Sequence, residues 1–177
     1  GGLSNSSHYL DTPIAATADG PNGLHIAEKT MMMPIETGIA ATWNKNLIKN
    51  LFYNEGLELQ YYKIDTLLGP GLNIHRHPLC GRNFEYYSED PYLSGMMTIA
   101  TTAGLKEAGV WGTIKHFALN NQETERTEMN SVCSERAIRE IYLKAFEMTI
   151  KENTVISVMT SSNIINELYA ASNYDLV

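Results

Sequence analysis

The sequence predicts an α/β fold with a parallel sheet, built either as an open doubly wound sheet or as a (β/α) barrel. Three observations favour this class. Short apolar runs alternate with long helical stretches, turns rich in Gly and Pro end several of the runs, and polar side chains follow each predicted strand. With 177 residues, 44% of them apolar and 19% charged, the chain is typical of a globular domain or of part of a larger one.

The first half of the chain predicts two strands and one long helix. Residues 13–18 form an apolar run that stops at the turn sequence Asp-Gly-Pro-Asn-Gly of residues 19–23. Apolar residues recur three or four positions apart in residues 42–61, which predicts a helix with one buried face. A second strand is predicted over residues 64–68, and the Gly-Pro-Gly of residues 69–71 ends it.

The second half predicts two more helices and two more strands. The Asp90-Pro91 pair is typical of a helix start, and we expect that helix to end just before Gly109. Residues 110–114 and 154–159 form the third and fourth strands, and Ser134 caps the helix between them. The resulting order β-α-β-α-β-α-β favours parallel strands joined by right-handed crossovers.

Polar residues collect where the predicted strands end. Asp19 follows the first strand, Lys115 and His116 follow the third, and the polar residues 160–163 follow the fourth. The second strand opens into the long loop of residues 70–90. Because α/β proteins place their chemistry where the carboxyl ends of parallel strands meet, we expect these residues to line a common site.

The loop of residues 70–90 alternates basic and acidic side chains. Structureless loops of this length are uncommon unless they are functional. His75 and His77 have a spacing that can chelate a metal, but no Cys-rich or carboxylate-rich partner set accompanies them, so we expect no metal. We expect ion pairs to hold the loop rigid and Arg82 to present its guanidinium group to a ligand.

Acidic residues near the same edge favour carboxylate chemistry over a serine nucleophile. Hydrolysis of a glycosidic bond needs two carboxyl groups, about 5–5.5 Å apart when configuration is retained and roughly 6.5–9.5 Å apart when it is inverted. Asp19 has a suitable position, and the further candidates are Glu85, Glu89, Asp90 and Glu123. Spacing in the sequence selects no pair among them.

Charge and composition argue against several other functions. A net charge of −7 disfavours nucleic acid as a partner, because such binding needs clustered Lys and Arg. No stretch of the sequence approaches the roughly 20 apolar residues of a membrane span. The glycine motifs of nucleotide sites are absent, and Cys80 and Cys133 match no paired zinc or redox spacing. We therefore expect no cofactor, no nucleic-acid partner and no membrane partner.

Five motifs along the chain carry a resemblance that covers about residues 11–176. They are Asp-Gly-Pro-Asn-Gly-Leu at 19–24, Leu-Gly-Pro-Gly-Leu-Asn-Ile-His-Arg at 68–76, Gly-Arg-Asn-Phe-Glu at 81–85, Gly-Thr-Ile-Lys-His-Phe at 112–117 and Asn-Gln-Glu-Thr at 121–124. Taken together, these motifs resemble those of glycoside hydrolase family 3, the β-glucosidase and β-xylosidase group.

The resemblance implies a (β/α) barrel-like domain of the TIM type, usually followed by an α/β sandwich domain. Residues 1–177 would be part of that one N-terminal barrel domain and would supply about half of the barrel. The implied activity is retaining hydrolysis of terminal β-linked sugars, with a small or oligomeric β-glycoside as the ligand. By the resemblance, the residues that contact the sugar ring being cleaved are Asp19, Arg82, Lys115, His116, Arg126 and Met159.

The chain departs from the family pattern at three positions, where His25 replaces Arg, Ser162 replaces Tyr and Glu167 replaces Gly. The family's nucleophile follows the Asn-Tyr-Asp tripeptide, here residues 173–175, and its general acid lies further on, so we expect neither in this chain. We expect the sugar-binding half of an active enzyme, inactive in isolation. The alternative is a non-catalytic carbohydrate-binding or assembly module.

Half of a barrel has two open strand edges. Such edges expose unpaired backbone groups and promote association with other chains. We therefore expect a second copy of this chain, or a complementary chain, to cover them.

Overall fold

A computed structural model describes residues 15–177, and its elements follow the predicted alternation of strands and helices. In chain order they are β1 (Thr17–Asp19), α1 (Glu36–Ala40), α2 (Lys45–Tyr61), β2 (Thr66–Leu68), α3 (Pro91–Glu107), β3 (Trp111–Phe117), β4 (Asn130–Ser131), α4 (Glu135–Ala137), α5 (Lys144–Lys151), β5 (Ser157–Thr160), β6 (Ile164–Ile165) and β7 (Leu168–Tyr169). Turns of 3-10 helix occupy Asn83–Glu85 and Ala170–Ser172, and a π-helical turn, Ile138–Tyr142, separates α4 from α5.

Four of the strands form one parallel sheet in the order β1-β2-β3-β5. Thr17 of β1 lies opposite Thr66 of β2, and Thr113 of β3 lies opposite Ser157 of β5. Strands that follow one another through a helical connection are therefore neighbours in the sheet, as expected for β-α-β units. The predicted α/β fold with parallel strands is confirmed.

Capping side chains determine where the long helices begin. Asn44 Oδ1 accepts a hydrogen bond from Leu47 N at 3.1 Å before α2, and Asp90 Oδ1 accepts one from Leu93 N at 2.5 Å before α3. Each cap satisfies an amide that has no partner within its own helix. The predicted cap at Ser134 is also present, but it begins the three-residue helix α4.

The main difference from the sequence-based boundaries concerns β3. The prediction ended this strand at residue 114, whereas β3 continues to Phe117 and includes Lys115 and His116. Pairing with β5 supports the extension, because Lys115 lies opposite Met159 and Phe117 opposite Thr160, with an irregular register between them. The two polar residues are therefore held by the sheet itself and not by the loop that follows it.

Other features of the structure also differ from the prediction. The first strand begins at Thr17, and residues 13 and 14 of the predicted strand lie outside the described residues. The helix predicted after Ser134 is interrupted by the π-helical turn at Ile138–Tyr142. A second sheet of β4, β6 and β7 has no sequence signal, because each of its strands has two residues and shows no periodicity.

The core lies between the sheet and the helices, with α3 packed against α2, α5 and β3. Its fully buried side chains include Ile48, Phe52, Leu59, Leu67 and Leu105. The approach of α2 to α3 requires Gly104, since a Cβ there would lie 2.3 Å from the carbonyl oxygen of Lys49. Among residues 15–177, no helix is both long and apolar enough to cross a membrane.

Two glutamates, Glu36 of α1 and Glu55 of α2, are completely buried. Asn22 Nδ2 donates a hydrogen bond to one oxygen of Glu36, whereas the other oxygen of Glu36 and both of Glu55 have no partner among the described residues. Burial raises the pKa of Glu36 to about 8. Burial, together with repulsion from Glu36 and Glu58, raises the pKa of Glu55 well above its usual range. Both carboxyl groups therefore keep their protons in mildly acidic solution.

We predict that the free energy of unfolding falls as pH rises from about 4.5 to about 8. In this window an unfolded glutamate has lost its proton while Glu36 retains it, so the folded state binds more protons and loses stability with rising pH. Glu36→Gln keeps an acceptor for Asn22 but cannot ionise. It should therefore make the dependence of the unfolding free energy on pH less steep, by about 1.4 kcal/mol per pH unit. Urea unfolding at several pH values within the window measures the slope.

The matched control for this prediction is Glu107→Gln, which removes an exposed carboxylate paired with Lys49 on the surface. We expect this variant to keep the slope of the unmodified chain. An unchanged slope in Glu36→Gln would contradict the prediction.

Candidate functional site

A cavity of about 220 Å³ lies at the carboxyl ends of β1, β3 and β5. Its lining consists of Asp19, Arg82, Lys115, His116, Asn120, Arg126, Met159, Thr160 and Ser162. The structure thus brings together in one cavity all six residues that the sequence analysis placed in a site. Of residues 160–163, which we also expected at the site, Thr160 and Ser162 line the cavity, whereas Ser161 and Asn163 donate hydrogen bonds to the carbonyl oxygen of Ala118.

Lys115 is the central polar residue of the cavity. Its side chain is only 2% exposed, and its Nζ lies 2.7 Å from Asp19 Oδ1 and 3.5 Å from Glu85 Oε2. The sheet register brings these groups together, because Asp19 aligns with Leu68 at the end of β2 and Gly71, just beyond β2, pairs with Lys115. The side chain of Asp19 is 53% exposed, so its carboxylate has oxygen lone pairs left for a ligand.

Glu85 connects two cations of the site. One of its oxygens contacts Arg82 Nε, and the other faces Lys115. Glu85 lies in the 3-10 turn Asn83–Glu85 and is buried behind the cavity. The predicted ion pairing of the loop is present here, and it fixes Arg82 at the cavity wall.

Other contacts hold the same loop in place. His75 Nε2 lies 2.9 Å from the carbonyl oxygens of both Asn83 and Tyr86. Arg76 lies over the ring of Tyr142, 5.9 Å from its centroid. In the part of the chain that the structure describes, no group of three or more His, Cys, Asp or Glu side chains has a geometry that could hold a metal ion.

His116 is fixed through both its backbone and its ring. Asn73 Oδ1 accepts a hydrogen bond from His116 N at 2.8 Å, and Asn73 Nδ2 donates one to His116 O at 2.9 Å. The ring atom Nδ1 lies 3.0 Å from Tyr86 Oη. Burial, and then the nearby Arg and Lys side chains of the cavity, lower the pKa of His116 to about 2. The imidazole is therefore neutral at physiological pH.

Arg126 belongs to the loop that follows β3. Its Nη1 lies 2.9 Å from Glu123 Oε2, and Glu123 Oε1 accepts a hydrogen bond from Asn120 Nδ2 at 2.9 Å. All three residues fall within seven positions of the chain. A short stretch of loop thus carries both the arginine and the carboxylate that orients it.

The other acidic candidates from the sequence do not line the cavity. Glu85 and Glu123 are paired with arginines, Asp90 caps α3, and Glu89 borders a different cavity. Among the described residues that line the cavity, Asp19 is the only one with a carboxylate. The geometry therefore supplies a binding surface with one acidic group.

Of the three departures from the family pattern, Ser162 alone contributes to the described cavity lining. His25 N donates a hydrogen bond to Asp19 O at 2.8 Å, but its side chain is not part of the lining. Glu167 N donates to Asn130 Oδ1 in the second sheet. The other two departures therefore place no side chain in the described cavity lining.

Sequence reasoning missed two residues that the structure brings to the site, Asn120 and Tyr86. Asn120 stands three residues after the end of β3 but six residues after the predicted strand end at residue 114, so the strand-end rule that selected Lys115 did not reach it. Tyr86 lies inside a loop and has no such signal. Its position becomes apparent only from its contact with His116, 30 residues away in the sequence.

The fold and the cavity together define a class of protein. A parallel α/β chain presents a lysine, two arginines, a neutral histidine and one partly exposed carboxylate at its strand ends. Such a set can bind a small polar ligand through several charge-assisted hydrogen bonds.

The chain belongs to glycosyl hydrolase family 3, since the model of that family's N-terminal domain matches residues 3–174. It is 52% identical to a β-glucosidase of Ruminococcus albus, across 99% of this chain and 19% of that protein. The crystal structure of a β-glucosidase from Paenibacillus barengoltzii is also 52% identical and superposes with a TM-score of 0.95, across 99% of this chain and 19% of that one. β-Glucosidase 3B from Thermotoga neapolitana, in complex with glucose, is 45% identical with a TM-score of 0.90, across 93% of this chain and 24% of that one.

These similarities confirm both the family resemblance and the fold class. The parallel sheet corresponds to the N-terminal part of the TIM-barrel-type fold of these enzymes. The chain spans about a fifth to a quarter of the length of these relatives.

We predict that Glu85→Gln destabilises the fold by about 3–5 kcal/mol, because it breaks a buried ion-pair network and leaves Lys115 with one partner fewer. Urea unfolding at neutral pH measures the loss. The control is Glu140→Gln, which removes an exposed partner of Arg136 and should cost less than about 1 kcal/mol. Equal losses in the two variants would show that the Glu85 pairs contribute no more than a surface contact.

Proposed function

We propose that this chain forms the sugar-binding part of the active site of a β-glucosidase-type enzyme that hydrolyses terminal β-linked sugars. The observation that carries the proposal is the shared cavity at the strand ends. The residues proposed to contact the sugar are Asp19, Arg82, Lys115, His116, Arg126 and Met159. The β-glucosidase names of the relatives, and the glucose bound in one solved relative, support a glucose-like ligand.

The size and chemistry of the cavity fit one sugar unit. Its volume of about 220 Å³ is below the roughly 300–1,000 Å³ typical of sites for drug-sized ligands. Lys115 and the two arginines donate hydrogen bonds, while Asp19 accepts them. Sugar hydroxyl groups both donate and accept, so a single ring can use both kinds of group.

The same contacts can favour the transition state of glycoside hydrolysis. That state resembles an oxocarbenium ion, and hydrogen bonds to ring hydroxyls strengthen as it forms. Groups held rigidly in a partly desolvated site stabilise such changes without reorganising. The ion pairs from Glu85 to Arg82 and Lys115 supply this rigidity before any ligand binds.

Cleavage itself needs two carboxyl groups, whereas the described lining contains one. Asp19 is already paired with Lys115 and is proposed to bind hydroxyls. We therefore propose that the nucleophile and the general acid come from sequence outside these 177 residues. The chain is accordingly part of a single N-terminal barrel domain, and the rest of the barrel and a second domain complete the enzyme.

The outer strands of the sheet support a related proposal about partners. β1 and β5 are its edge strands, and no described strand pairs with their outer sides. Edges of this kind invite pairing. We propose that further barrel strands of the same polypeptide, or failing those another chain, cover them.

The proposal is tested with the full-length gene product and with the 177-residue chain. Hydrolysis of aryl β-glucosides by the former, and glucose binding without hydrolysis by the latter, are the expected results. Calorimetry with glucose and cellobiose measures binding. A full-length product that binds glucose but does not hydrolyse would favour the non-catalytic binding module, for which the single carboxylate of the lining is the supporting observation. Absence of both binding and hydrolysis would refute the proposal.

We predict that Asp19→Asn weakens glucose binding about 10- to 150-fold, because charge-assisted hydrogen bonds contribute roughly 1.5–3 kcal/mol. Calorimetry on the full-length gene product gives the dissociation constant, and its unfolding midpoint checks the fold. Glu107→Gln removes the same charge far from the cavity and should bind glucose normally. Unchanged affinity in Asp19→Asn would show that this carboxylate does not contact the sugar.

A further inference from the structure

A chain of hydrogen bonds runs behind the cavity from Arg126 to His116. In the first of these bonds, the chemistry of the side chains determines which group donates and which accepts. The carboxylate of Glu123, paired with Arg126, can only accept hydrogen bonds. The group of Asn120 that lies 2.9 Å from it must therefore be the amide nitrogen, Nδ2. The orientation of the Asn120 side chain is thereby determined.

The next link passes through Tyr86. Asn120 Nδ2 also lies 3.3 Å from Tyr86 Oη, so the phenol oxygen accepts from the second N–H of this amide. The side chain of Tyr86 is completely buried, and a buried hydroxyl proton needs an acceptor. His116 Nδ1, at 3.0 Å, is the one acceptor for it among residues 15–177.

We propose that Tyr86 is a positioning residue that holds His116 in the neutral tautomer with its proton on Nε2. Because Nδ1 accepts the proton of Tyr86, the ring's own proton must sit on the other nitrogen. His116 lines the cavity, and Nε2 has no partner among the described residues. His116 therefore offers the cavity an N–H donor and no acceptor.

The opposite tautomer would conflict with the rest of the chain of hydrogen bonds. A proton on Nδ1 would point at the phenol oxygen and would leave the buried hydroxyl proton of Tyr86 without an acceptor. Protonation of both nitrogens is opposed by burial and by the cations around the ring. One of the three protonation forms of the imidazole is thus selected by Tyr86, Asn120 and Glu123.

The consequence for binding rests on the proposed function. With His116 as a donor, the ligand must present an oxygen lone pair at this wall, and Asp19 is the one negatively charged acceptor in the described lining. A hydroxyl or ring oxygen of a sugar meets this requirement. A sugar that lacks the oxygen at this position would lose the bond.

The test of the tautomer is nitrogen NMR of the full-length gene product labelled with ¹⁵N in histidine. The His116 signals are assigned in the unmodified protein and checked by their disappearance in His116→Gln. We expect Nε2 to carry the proton and Nδ1 to be unprotonated. A proton on Nδ1 in the unmodified protein overturns the proposal, whatever the variants do.

Tyr86→Phe removes the proton donor and should give a mixture of tautomers at His116. Tyr87→Phe is the matched control. Tyr87 is the adjacent buried tyrosine, but its hydroxyl forms a hydrogen bond with the hydroxyl of Thr101 and not with His116. We expect Tyr87→Phe to leave the tautomer unchanged although it also loses a buried hydroxyl. An unaltered tautomer in Tyr86→Phe would overturn the positioning role.

Glucose affinity provides the second readout. Tyr86→Phe should weaken binding about 3- to 10-fold, the value of roughly one neutral hydrogen bond, and Tyr87→Phe should not. If the unmodified protein shows the expected tautomer but binds no sugar, the proposed function fails and the positioning role of Tyr86 stands. If it binds sugar with the proton on Nδ1, the proposed function stands and the positioning role of Tyr86 fails.

Discussion

Burial of the Lys115 ammonium group is the constraint on which the site depends. A cation with so little exposure is stable only when carboxylates replace its lost hydration. Asp19 supplies one carboxylate from the end of β1, and Glu85 supplies another from the loop after β2. Neither the strand register nor the loop conformation can change without leaving a charge unpaired. Because Asp19 remains partly exposed, the ion pair that stabilises this edge of the sheet also leaves a carboxylate open to the cavity, where we propose that it contacts the ligand.

The cavity combines several cations with a histidine that carries no charge. The same arginines and lysine that attract oxygen atoms of a ligand oppose protonation of His116. The ring is left to act as a hydrogen-bonding group whose direction is set by Tyr86. Ser162 is the one family departure found in the described lining, where its side chain is smaller than the tyrosine of the family pattern.

The parallel sheet explains why the proposed binding groups are gathered at one edge. Each β-α-β unit delivers its polar residues to one edge, and four strands suffice to surround a small cavity with donors. Hydrolysis needs a second carboxyl group at a defined distance from the first. Three of the acidic residues near the edge are engaged elsewhere, Glu85 and Glu123 by arginines and Asp90 by a helix amide. Their role in the described structure is to position other side chains.

The sequence alone determined the parallel α/β class and the caps at Asp90 and Ser134, because these follow from local periodicity and capping chemistry. The resemblance to the family pointed to the six residues that line the cavity. Tertiary structure decided the rest. β3 continues through Lys115 and His116 because β5 pairs with it. The direction of the hydrogen bonds from Glu123 to His116, and the burial of Glu36 and Glu55, depend on contacts between distant residues. Lys115 and Asp19, 96 positions apart, meet only when three strands align, and no local pattern encodes that distance.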